Sequence, residues 1–130
     1  MSGVLIDTSV WVDHFRSHNA QLIQLLHQDM AVTHPMVLGE IACDTPASPR
    51  AQTLTDISLL QQTKQASMQD VMNFIEREAL FGLGCGLVDM VLLASTLITP
   101  GARLWTLDKR LAALADRFAV AHVTSVASQS

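Results

Sequence analysis

Apolar residues in this chain fall in short unbroken runs separated by longer stretches of helical spacing. Val4-Leu5-Ile6 is the first run, apolar on both faces and bounded by polar residues, which predicts a buried strand. Residues 9–15 follow as a helix, with Thr8 or Ser9 as its cap. Asn19 suits the cap of a second helix, in which Leu22, Ile23, Leu25 and Leu26 form one apolar face. Residues 30–33 predict a second strand, and Pro35 then opens a helix through about Cys43. Residues 44–49 read as a loop, and Pro49 can start a helix over 50–62. In the helix expected over 67–80, Val71, Met72, Phe74, Ile75 and Ala79 fall mostly on one side. Gly82, Gly84 and Gly86 interrupt the chain before a helix over 87–98, and Pro100-Gly101 turns into a strand over 102–106. A last helix over 109–118 leads to a terminal strand near 121–123. Strands separated by helices predict an α/β fold, with a mainly parallel sheet between helical layers. No linker, repeat or low-complexity tract divides the 130 residues, so a single domain is expected over 1–130.

Composition adds one expectation about the surface. Charged residues make up 15% of the chain and apolar ones 49%, against a usual charged share of about 25%. Such a shortfall suggests that a second copy or another chain covers some apolar surface. The net charge of −4 excludes a plain basic patch as the means of gripping nucleic acid. Cys43 and Cys85 show no metal-ligand spacing and read as small core residues of a reducing compartment. The start of the chain reads as a strand and not a leader, and no apolar run reaches 18 residues. The expectation is a cytoplasmic protein with no membrane segment.

Four acids carry the candidate chemistry. Asp7 ends the first strand and Asp108 follows Leu104-Trp105-Thr106-Leu107, so both point to the crevice beyond the carboxyl ends of a parallel sheet. Glu40 and Asp89 sit in otherwise apolar helical segments. Each has a plainer reading: Asp7 and Asp108 as helix caps, Glu40 as an exposed helix residue, Asp89 as a cap at a helix start. Asp89 fits that reading least, because an unpaired carboxylate buried in Leu87-Val88-Asp89-Met90-Val91-Leu92-Leu93 is costly. Together the four repel one another unless something positive holds them, and Mg²⁺ or Mn²⁺ prefers such oxygen ligands. Of the 12 Asp and Glu, setting these four aside leaves eight, matching the 8 Lys and Arg, so a metal-neutralised site permits a phosphate backbone to approach. Asp13 lies six positions after Asp7 and reads as a solvated helix residue, and the five histidines show no ligand spacing. Ser9 and Thr106 are caps that could also hydrogen-bond a site carboxylate.

Val4-Leu5-Ile6-Asp7-Thr8-Ser9-Val10-Trp11, the central Gly39-Glu40, Leu87-Val88-Asp89 and the stretch from Leu104 to Leu111 together resemble the PIN-domain ribonucleases. Within these, the likeness is to the VapC toxins of bacterial toxin–antitoxin systems, and it spans essentially the whole chain. The resemblance implies a PIN-like three-layer α/β/α domain and a Mg²⁺- or Mn²⁺-dependent endoribonuclease, commonly a homodimer. It makes Asp7, Glu40, Asp89 and Asp108 the catalytic and metal-binding acids, with Ser9 and Thr106 beside them. It further implies RNA as substrate and a VapB-type antitoxin as partner. The expected reaction is in-line attack of water on phosphorus, leaving a 5′-phosphate and a 3′-hydroxyl. Arg16, Arg50, Lys109 and Arg110 are candidates for steering the RNA backbone, each also readable as a solvated surface charge. With aromatic residues at only 5%, specificity is expected from RNA shape or unpaired bases and not from extensive stacking. A haloacid-dehalogenase-like phosphatase needs a second Asp where Ser9 stands, and a receiver domain needs an adjacent acid pair that is missing. The rival of a different class is a PIN-like dimer that binds RNA or protein without cutting.

Overall fold

The computed structural model describes residues 3–124. Strand β1 (Val4–Ile6) is the middle of a three-stranded, all-parallel sheet, flanked by β2 (Ala31–Val32) and β3 (Arg103–Trp105). Val4 and Leu5 pair with Ala31 and Val32 on one side. Val4, Leu5 and Ile6 pair with Arg103, Leu104 and Trp105 on the other. A central parallel strand is covered on both faces, which is why its residues need no polar alternation. All three are buried.

Helices α1 (Thr8–Ser17) and α2 (Ala20–His27) connect β1 to β2. Helices α3 (Pro35–Ala42), α4 (Arg50–Ser58), α5 (Met68–Glu78) and α6 (Leu87–Leu97) precede β3, and α7 (Lys109–Arg117) follows it. The result is a three-layer α/β/α arrangement. α6 is its innermost helix, with Met90 through Thr96 all buried. α5 lies along it, burying Val71 and Phe74, and Phe74 meets Phe118 from the end of α7 at 5.3 Å between ring centres. No helix among the described residues is long and apolar enough to cross a membrane.

Three expectations are corrected. The helix expected to reach residue 62 ends at Ser58, and Gln62 instead forms a parallel bridge with Thr33 at the sheet edge. Thr33 N–H donates to Gln61 O (2.8 Å) and Thr63 N–H to Thr33 O (3.1 Å), giving a buried edge residue the partners its backbone requires. The terminal strand near 121–123 is reduced to one bridge between Leu104 and Ala121, after which His122 packs against the Trp105 ring. Cys43 is an exposed residue at the end of α3, not a core residue, because helical spacing puts it on the outer face with Gly39; Cys85 is half-buried against the core.

Candidate active site

Asp7 sits where β1 ends and α1 begins, with its backbone N–H on Trp105 O at 2.9 Å. The sheet is therefore still pairing at the point where the acid emerges. Asp7, and not Thr8 or Ser9, is the helix cap. Its Oδ2 accepts from Ser9 Oγ (2.6 Å) and Thr106 Oγ1 (2.7 Å), with a longer contact from Ser9 N–H (3.4 Å). Those hydroxyls are themselves held: Leu107 N–H donates to Ser9 Oγ (2.9 Å) and Asp108 N–H to Thr106 Oγ1 (3.0 Å). This network stitches the ends of β1 and β3 together around a carboxylate that is only 6% exposed.

The other three acids are anchored in the same way, each through one oxygen. Asp108 caps α7, its Oδ1 accepting from Arg110 and Leu111 N–H at 2.9 and 3.1 Å. Glu40, in the last turns of α3, accepts from Thr8 Oγ1 at 2.6 Å through Oε1. Asp89, in the first turn of α6, accepts from Gly86 N–H at 3.1 Å through Oδ2. In every case the second oxygen takes no protein hydrogen bond among the described residues. Burial lifts the Asp89 carboxyl above the ordinary carboxylate range; the Gly86 N–H opposes this, and the charges of Asp7, Asp108 and Glu40 add to it. The Cys85 thiol is likewise raised, by burial first and then by the charges of Asp89 and Asp108. Asp89 thus feels all three of the other acids. Among the described residues no three His, Cys, Asp or Glu side chains already close into a ligand set.

No family model matches the chain. Two curated relatives do, each called Ribonuclease VapC32, from Mycobacterium tuberculosis strains CDC 1551 / Oshkosh and ATCC 25618 / H37Rv. Each is 40% identical over 118 residues, which cover 91% of this chain and 94% of the relative. The chain belongs to the VapC family of PIN-domain ribonucleases.

In this VapC chain the basic candidates have separate settings. Arg110 donates from Nη1 to Gly84 O at 3.3 Å and rests where a Cβ on Gly84 would lie 2.7 Å from Nη1, so it clasps the loop that leads into α6. Arg50 donates to Ala42 O (2.7 Å) and Asp44 O (3.2 Å), bracing the end of α3. Arg16 borders a cleft with Val12, Phe15 and Thr45, and Lys109 is exposed in the first turn of α7. Asp13 accepts from Asn19 Nδ2 (3.0 Å) and serves the α1–α2 corner.

Two contributors escaped the sequence reading. Thr8, taken there as a cap, holds Glu40. His34, buried, caps α3 by accepting from Met36 N–H at Nδ1 (3.0 Å), and its Nε2 meets Ser95 Oγ at 3.1 Å in the last turn of α6. That bond ties the helix carrying Glu40 to the helix carrying Asp89. A serine in the apolar run of α6 was the available signal.

Proposed function

We propose that this chain is the toxin of a type II toxin–antitoxin pair, cleaving RNA phosphodiester bonds at Asp7, Glu40, Asp89 and Asp108 with Mg²⁺, for which Mn²⁺ can substitute. The observation that carries the reading is that each of the four carboxylates is held by protein donors through one oxygen and leaves its other oxygen without one among the described residues. An all-oxygen donor set with one free oxygen per acid fits a hard divalent cation. Asp7 Oδ1, Glu40 Oε2, Asp89 Oδ1 and Asp108 Oδ2 are the oxygens left to hold it. When bound, the ion makes a water more acidic and offsets charge on the phosphate and the departing oxygen.

The residues of the chain supply position. Ser9 and Thr106 occupy Asp7 Oδ2 and so fix which oxygen it presents, and Thr8 does the same for Glu40. Lys109 and Arg16, which make no side-chain hydrogen bond or ion pair among the described residues, would meet the RNA backbone first, and Arg110 and Arg50 would do so from their present anchors. Exposed Phe81, Leu83, Leu87 and Leu107 support a covering partner, either a second copy in a homodimer or a VapB-type antitoxin. The site of action in this reading is the cytoplasm.

The test is purified protein incubated with total bacterial RNA in Mg²⁺, in Mn²⁺ and after EDTA, beside Asp7→Asn. Discrete products bearing 5′-phosphates are expected with either metal and lost with EDTA or with the variant. Metal-independent cleavage, or cleavage that survives Asp7→Asn, sinks the assignment. Binding of RNA without any cleavage turns the reading to a non-catalytic PIN-like module.

A further inference from the structure

Beside the acids an open trough of about 550 Å³ runs along the outer face of α3. Pro35, Gly39 and Cys43 recur every four residues along it, and Met36 completes that wall. At 1.5 Å per residue this wall is about 12 Å long. Val88, from the first turn of α6, faces it. Glu40 and Thr8 belong to both the trough and the acidic site, so the two are continuous. Asp44 lines the trough from the loop after α3. Its Oδ1 accepts from Thr45 N–H (2.8 Å) and Oγ1 (3.2 Å), which leaves Oδ2 as an open acceptor among the described residues.

The lining selects its occupant. Among the described residues no Lys or Arg lines the trough, and Asp44 adds a carboxylate away from the other site acids, so a phosphate is disfavoured at that end. A largely apolar floor with acceptors at its edge suits a flat, neutral heterocycle carrying N–H donors. Because Glu40 belongs to both, RNA that presents a phosphodiester to the four acids can lay a neighbouring nucleoside in the trough. We propose, building on the ribonuclease reading above, that this trough seats the unpaired base beside the scissile phosphate, with Asp44 selecting bases that carry an exocyclic amine. Adenine, cytosine and guanine carry one and uracil does not; carboxylates accept from such amines. Arg50 keeps the selecting loop in place through its bonds to Ala42 O and Asp44 O.

Gly39 offers a direct test, because a Cβ built there meets nothing within 4 Å. Gly39→Leu places an apolar side chain on the trough wall from a Cβ position with open space around it, and puts a better helix former in α3. Asp44→Asn keeps Oδ1 for Thr45 and replaces the open acceptor with a donor. Both variants and the parent, with thermal melting to verify each fold, are given an unstructured RNA pool with Mg²⁺, and the new ends are sequenced. In parallel, fluorescein-labelled oligo(A), oligo(C) and oligo(U) report binding by anisotropy.

The parent is expected to disfavour uracil beside the cut by about tenfold. Asp44→Asn shifts that preference toward uracil, and folded Gly39→Leu slows cleavage about tenfold or more while weakening oligo(A) and oligo(C) binding. Cleavage by all three proteins at equal rates, with the same neighbouring base, overturns the base seat and leaves the ribonuclease reading standing. Preferential binding of oligo(A) and oligo(C) without cleavage does the reverse. Neither cleavage nor binding removes both.

Discussion

Asp7 and Asp89 both accept hydrogen bonds at the start of a helix, yet they stand in opposite settings. Asp7 takes two hydroxyls at one oxygen, whereas Asp89 has a single backbone donor and a carboxyl raised by burial and by its neighbours. A raised folded-state pKa means that ionised Asp89 disfavours the metal-free fold at neutral pH, a penalty that disappears as pH falls below the unfolded value of about 3.9. Asp89→Asn should therefore melt higher than the parent at pH 7 without metal, lose that advantage near pH 4, and have no detectable ribonuclease activity. A lower melting temperature at pH 7 contradicts the repulsion. Thr106→Val is the complementary case. It removes a donor to Asp7 and the acceptor of Asp108 N–H, so a loss of about 1–3 kcal/mol by urea unfolding is expected. If Asp7 holds the metal as proposed, cleavage should fall roughly 10–100-fold, the usual cost of losing a group that orients a metal ligand.

Among the elements, α3 begins on a histidine whose cap depends on an unprotonated ring nitrogen. Its cap, His34, accepts a backbone N–H at Nδ1 and must be neutral there to do so. Burial lowers the His34 pKa, and His14 and His122 are lowered as well, again mainly by burial. For lowered bases the stabilisation is complete above the unfolded value of about 6.5 and is lost as pH falls from there toward the folded value. The melting temperature should drop between pH 7.5 and 5.5, and His34→Asn, which retains a capping oxygen, should make that drop shallower. An equally steep profile in the variant removes His34 from the account. The elements were largely legible because β1, α5 and α6 each declare themselves in a contiguous pattern of apolar residues. Asp7 and Asp108 were legible for the same reason, standing directly after such runs. Gln62 at the sheet edge, the outward Cys43 and the Thr8–Glu40 bond were not, since each depends on residues brought together only by the folded chain.

At the scale of the whole molecule, everything hangs on three residues of β1. Leu5 is fully buried between both neighbouring strands and beneath helices. Leu5→Ala leaves a cavity that costs about 2–5 kcal/mol, a large part of the roughly 5–15 kcal/mol that holds a domain together. Its urea midpoint should fall steeply; a change under about 1 kcal/mol would mean that the centre repacks. The position of β1 also has a consequence for biosynthesis. The hydroxyl of Thr106 that completes the Asp7 network is translated 99 residues after Asp7 itself. Until β3 leaves the ribosome, β1 lacks its second neighbour and the acids have no common frame. A nascent chain not yet extended through β3 thus carries three of the four acids without the frame that would join them.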